Sequence, residues 1–204
     1  GRTAEKTEAG VYQRFSASVL VIPADLDYFI DSGSSGSAAG SAHAAAAAVS
    51  PELRNETADQ KWDGAAPGST WGYSTAATTL AGGTPQDWGS SYIGADFNKP
   101  VTYHLTLPAG SYNIVGVQAP RAGLTTNLSA KLTANGETTS KTAVSTGSAT
   151  PIAQTLTLDE EAVVELEFGT NGTSGYNSRL ALVYVQTLPR DLGVQGVLDT
   201  DDPL

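Results

Sequence analysis

Apolar and polar residues alternate with a period of two through most of the second half of the chain. Val101, Tyr103, Leu105 and Leu107 fall on one side, and Thr102, His104 and Thr106 on the other. This is the pattern of a half-buried β-strand. Pro108-Ala109-Gly110 supplies a turn, so residues 112–117 return as the second arm of a hairpin. Further strands are predicted over 128–134, closed by Asn135-Gly136, and over 152–158. Val164, Leu166 and Phe168 then oppose Glu165 and Glu167, again with period two. Within the strand predicted over 179–187, residues 180–185 are apolar on both faces, as a central strand requires.

The first half is less regular. Residues 11–22 read as one strand before Pro23, and residues 26–30 open another. Residues 32–50 are nearly all Gly, Ser and Ala; the alanine run 44–48 carries the strongest helix preference in the chain, and Pro51 stops any helix there. The segment is either one short helix or a linker, because alanine and glycine bring little apolar area to bury. Many short strands with turn signals between them predict an all-β fold. The expected architecture is an antiparallel β-sandwich or jelly roll with at most one short helix. Residues 24–188 form the expected domain. Residues 1–23 read as the tail of a preceding β module or a linker, and 189–204 as an acidic linker.

Length and composition narrow the function. A chain of 204 residues suits one principal core. Only 16% of residues are charged, the formal net charge is −10 and the isoelectric point is about 4.4. Phosphate binding needs clustered Lys and Arg, so nucleic acid is excluded as a partner. The absence of cysteine removes disulfides, thiol chemistry and cysteine-ligated zinc. Methionine is absent too, even at position 1, so the sequence reads as a processed or excised segment. No apolar run is long enough for membrane insertion. Asn55, Asn127 and Asn171 match the glycosylation pattern, which a Ser/Thr-rich chain produces by chance.

A sugar ring offers an apolar C–H face and a rim of hydroxyls, so a site for it needs an aromatic platform beside amide, carboxylate or guanidinium groups. Trp62 and Trp71-Gly72-Tyr73 supply aromatics in the stretch that also holds Asp31, Asp59 and Asp63. Trp88 and Tyr92 lie in Gln86-Asp87-Trp88-Gly89-Ser90-Ser91-Tyr92, without an apolar strand pattern around Trp88. Arg121 ends the central hairpin, and its planar fork suits sugar hydroxyls or a uronate. Tyr176 and Asn177 sit in a polar loop before the last strand. Each of these has a plainer reading: core packing for the aromatics, above all Trp62 and Trp71, and a surface ion pair for Arg121. Catalysis lacks support. Gly-x-Ser-x-Gly is absent, and neither His43 nor His104 has a Ser or Glu motif nearby in sequence. Glu160, Glu161, Glu165 and Glu167 read as solvated.

The order of these segments resembles the galactose-binding-like β-sandwiches, and among them the malectin-like carbohydrate-binding modules of secreted bacterial glycan-degrading enzymes. The resemblance is carried by Leu26-Asp27-Tyr28-Phe29-Ile30-Asp31-Ser32-Gly33, by Asp59-Gln60 and Asp63-Gly64 followed by Trp71-Gly72-Tyr73, by the hairpin from Tyr103 to Tyr112, and by residues 180–185. It covers residues 24–188. It implies a noncatalytic, extracellular module that binds a polysaccharide or glycoconjugate through loops at one end of the sandwich and targets an attached glycoside hydrolase to it. Residues 1–23 then resemble the tail of an immunoglobulin-like neighbour. No cofactor is required, although Asp31, Asp59 and Asp63 could together hold a structural Ca2+; a turn or capping role explains each acid singly. The alternative is a structural spacer or docking sandwich without glycan affinity.

Overall fold

The computed structural model describes residues 5–7, 10–15, 18–33, 42–64, 66–75, 78–81, 91–95, 99–170 and 178–189, with the backbone alone over 5–21 and 78–81. Strands β1 (Glu5–Thr7), β2 (Gly10–Phe15) and β3 (Ser18–Ile22) form a three-stranded antiparallel sheet. The segment expected as a single strand over 11–22 is therefore two antiparallel strands, with Phe15 paired to Ser18.

The remaining strands build two facing antiparallel sheets. In chain order they are β4 (Leu26–Asp31), β5 (Trp71–Tyr73), β6 (Thr78–Ala81), β7 (Tyr92–Ala95), β8 (Val101–Leu107), β9 (Gly110–Gln118), β10 (Thr126–Ala134), β11 (Glu137–Ser145), β12 (Thr150–Leu158), β13 (Ala162–Thr170) and β14 (Arg179–Leu188). One sheet runs β11-β10-β13-β8-β5. The other runs β12-β9-β14-β7-β6, with β4 also paired to β14. The alternation read in β8 becomes a strict buried and half-exposed alternation in space. Its inward residues pack with Val164, Leu166 and Phe168 of β13 and with Ile114 and Val183 of the opposite sheet. The Asn135-Gly136 pair forms the two-residue loop of the β10–β11 hairpin, with φ of 50° and 80°, the signs a type I′ turn requires.

Strand β14 is buried on both faces because the second sheet has a cover on its outer side. Helix α1 (Ala42–Ala47) lays Ala42 and Ala46 against Phe29, Val117 and Leu182. The alanine-rich segment thus holds a helix with a packing role; small side chains let its backbone come close to the sheet. Across the helix, His43 is buried and its Nε2 lies 2.9 Å from the Asn55 carbonyl.

Candidate functional site

Residues 60–62 run beside β5 as a short extension of the first sheet. Lys61 bridges Tyr73, Trp62 N donates to the Tyr73 carbonyl at 2.8 Å, and Tyr73 N donates to the Gln60 carbonyl at 3.0 Å. Within β5 the side chains of Trp71 and Tyr73 point into the core, so position 72 faces outward. Gly72 has φ 149°, and a Cβ there would stand 2.4 Å from Trp62 N and 2.5 Å from the Lys61 carbonyl carbon. Only glycine fits this approach. The register partner of Gly72 on β8 is His104. With no side chain between them, the Trp62 indole reaches over Gly72 and stacks on the His104 imidazole, with centroids 5.0 Å apart and planes 21° from parallel.

His104 is held by a hydrogen bond at Nε2 and faces a carboxylate on the Nδ1 side. Ser74 Oγ lies 2.7 Å from Nε2, and Glu165 Oε2 lies 3.9 Å from Nδ1, beyond hydrogen-bond reach. Burial pushes the imidazole below its ordinary pKa, and Glu165 opposes this more weakly. The ring is therefore neutral at neutral pH. Ser74 is thirty residues from His104 in sequence and Glu165 lies on β13, so neither partner neighbours His104 along the chain. Next along the same outward face, Lys131 Nζ sits 2.5 Å from Glu167 Oε2. The Trp62 indole is half-buried rather than sealed, with Gly64 close beside its ring.

The other expected site residues are placed elsewhere. Trp71 and Tyr73 are 3% and 7% exposed, which corrects their reading as sugar platforms. They alternate with Gly72 and so take the inward positions, Trp71 against Tyr28 and Tyr73 edge-on to Tyr103. Tyr92 is half-buried on the other sheet, with the Arg179 guanidinium 4.8 Å from its ring centroid. Arg121 is half-buried in the β9–β10 connection, where its N–H donates to the Gly147 carbonyl. Trp88, Tyr176 and Asn177 lie outside the described residues.

Asp31 and Asp59 form a separate acidic pair at the end of β4. Asp59 Oδ2 accepts from Gly33 N at 2.7 Å, and its Oδ1 accepts from Gln60 N and the Tyr103 hydroxyl, both at 2.9 Å. Asp31 Oδ1 accepts from Ser91 at 2.8 Å, whereas the buried Oδ2 has no hydrogen-bond partner among the described residues. Burial raises each carboxyl to about 7, against the lowering effect of these hydrogen bonds. Asp63 is exposed and does not join them, and the described residues contain no group of three acids or histidines placed to hold a metal. The three-acid calcium site expected from sequence is not assembled here.

No protein-family model matches this chain, and no curated protein matches it. Its similarity is to solved structures. A family 35 carbohydrate binding module from Clostridium thermocellum is 18% identical, with a TM-score of 0.37, over 57% of this chain and 87% of that one. The CBM36-1 domain of a multidomain xylanase from the hindgut metagenome of Trinervitermes trinervoides is 13% identical, with a TM-score of 0.38, over 57% and 89%. A β-glucuronidase from Bacteroides uniformis is 14% identical, with a TM-score of 0.47, over 88% of this chain but 22% of that one. At these identities and TM-scores nothing is carried over from those proteins to this chain.

Proposed function

We propose that this chain is a noncatalytic carbohydrate-binding β-sandwich whose stacking platform is Trp62. The observation that carries this reading is the half-open indole, fixed over Gly72 and against His104, on a sheet face whose outward positions include the hydroxyls of Thr102 and Thr133 and the carboxyls of Glu165 and Glu167, beside Lys131 and the exposed Val144 and Val163. Stacking on the C–H face of a sugar supplies affinity, and Ser74, Thr102 and Glu165 select among hydroxyls. As part of a secreted bacterial glycan-degrading protein, such a module raises the effective concentration of an attached catalytic domain at its polysaccharide.

The test is affinity electrophoresis and calorimetry of the chain against soluble glucans, xylans, mannans and pectins, beside Trp62→Ala. Retardation by at least one glycan, weakened about tenfold or more by Trp62→Ala, is the expected result. Absence of binding to every glycan favours the spacer alternative, which the burial of Trp71 and Tyr73 also suits. Hydrolysis of 4-nitrophenyl acetate that disappears in Ser74→Ala would overturn the noncatalytic part.

A further inference from the structure

We propose that the ligand is an uncharged linear glycan lying along the outward face of the five-stranded sheet, crossing the strands from Trp62 toward β11. This rests on the carbohydrate-binding reading and moves the site from the loops at the sandwich end to a sheet face. The register lines up a row of outward positions across the whole sheet. Gly72, roofed by Trp62, pairs with His104, His104 with Glu165, Glu165 with Thr133, and Thr133 with Thr138. A second row runs beside it, in which Thr102 pairs with Glu167, Glu167 with Lys131, and Lys131 with Ser140. Every one of these side chains is half-exposed or exposed, while their inward neighbours Tyr103, Leu166 and Leu132 are buried.

Strands in a sheet lie ~4.8 Å apart, close to the length of one pyranose unit in an extended chain. A glycan crossing them therefore meets a fresh pair of polar side chains at each successive sugar, with the aromatic platform at one end. A chain running along a strand would meet alternate residues of one or two strands and leave the rows unused.

Charge decides the class of glycan. The two rows hold two carboxylates, Glu165 and Glu167, and one cation, Lys131, already 2.5 Å from Glu167. His104 is neutral at neutral pH because burial lowers its pKa. Glu165 thus remains an acceptor for sugar hydroxyls and repels uronates and sulfates, as does the chain's net charge of −10. Thr133, Thr138 and Ser140 add neutral donors and acceptors at the far end.

The experiment is calorimetry with ladders of cello-, xylo- and mannooligosaccharides from disaccharide to hexasaccharide, with oligogalacturonates as the anionic arm and chitosan oligomers as the cationic arm. For one neutral series, affinity is expected to rise about tenfold or more between disaccharide and pentasaccharide and then level off. The double variant Thr133→Ala, Thr138→Ala is expected to remove most of that gain. Affinity that is independent of length but abolished by Trp62→Ala would overturn the extended strip while leaving glycan binding intact. Tighter binding of the galacturonates or the chitosan series would overturn the charge argument. Binding to none of the ladders, with self-association seen by sedimentation and lost in Trp62→Ala, would mean that the face docks protein and would remove both readings.

Discussion

The side-chain amide of Asn55 pairs with the backbone of Phe29 as a neighbouring strand would. Asn55 Oδ1 accepts from Phe29 N at 2.9 Å, and Nδ2 donates to the Phe29 carbonyl at 2.6 Å and to the Thr57 carbonyl at 3.0 Å. Phe29 lies on β4, and these two groups point away from β14. The amide thus satisfies backbone groups on the open edge of the strand inside a buried site. Asn55→Ala leaves both groups unpaired and is expected to destabilise the fold by roughly 3 kcal/mol, read from the shift in a urea unfolding midpoint. The same burial, 1% exposure, predicts no glycan at the Asn55 acceptor pattern in the folded chain.

Gly72 is the second backbone-critical position. Its Cβ has no room against the Lys61–Trp62 backbone, and its φ lies where side chains are strained. Gly72→Ala is expected to cost about 2–4 kcal/mol by calorimetry and to open the Trp62–His104 stack, so that acrylamide quenches more of the tryptophan fluorescence.

The acidic pair makes stability depend on pH in an unusual direction. In the unfolded chain each carboxyl titrates in the ordinary carboxylate range, whereas in the fold Asp31 and Asp59 do so at about 7. The folded state then binds more protons between roughly pH 4 and pH 7, so the pair's contribution to stability falls as pH rises through that window and is flat above it. For one carboxyl the loss is at most roughly 4 kcal/mol. Asp31→Asn, which keeps an acceptor for Ser91 without the buried charge, is expected to raise the melting temperature at pH 8 and to raise it much less at pH 5. An equal shift at both pH values would refute this.

Neighbouring alanines in α1 are expected to respond in opposite ways. Ala46 is fully buried against the second sheet and Ala47 is exposed. Ala46→Leu overpacks that interface and is expected to cost about 1–3 kcal/mol, while Ala47→Leu changes stability by less than about 0.5 kcal/mol, both from thermal unfolding.

Strands β8 and β13 were legible because one face of each is buried and the other is wet, so burial writes itself into the residue order. Strand β11 left no such trace. It is an edge strand whose residues are mostly exposed, Thr138, Ser140 and Thr142 among them, and its pairing comes from backbone hydrogen bonds that any sequence can make. The short strands β5 and β7 are buried at nearly every position and show no period. The functional face was half visible. Trp62 was a candidate, but its partner His104 is brought beside it by the sheet register, and Ser74 and Glu165 arrive from two further segments. One local signal pointed there: a glycine between two inward aromatics in Trp71-Gly72-Tyr73 implies that something crosses the outward position.

By itself the order of residues determined that the chain folds as a sandwich of antiparallel strands, since periodic burial is a local property that each strand carries in its own side chains. Which aromatic stays in contact with water was decided only in three dimensions. Trp62 and Trp71 are the same residue type a few positions apart, yet one is sealed and the other half-open, because strand pairing turns each toward a different side of the sheet.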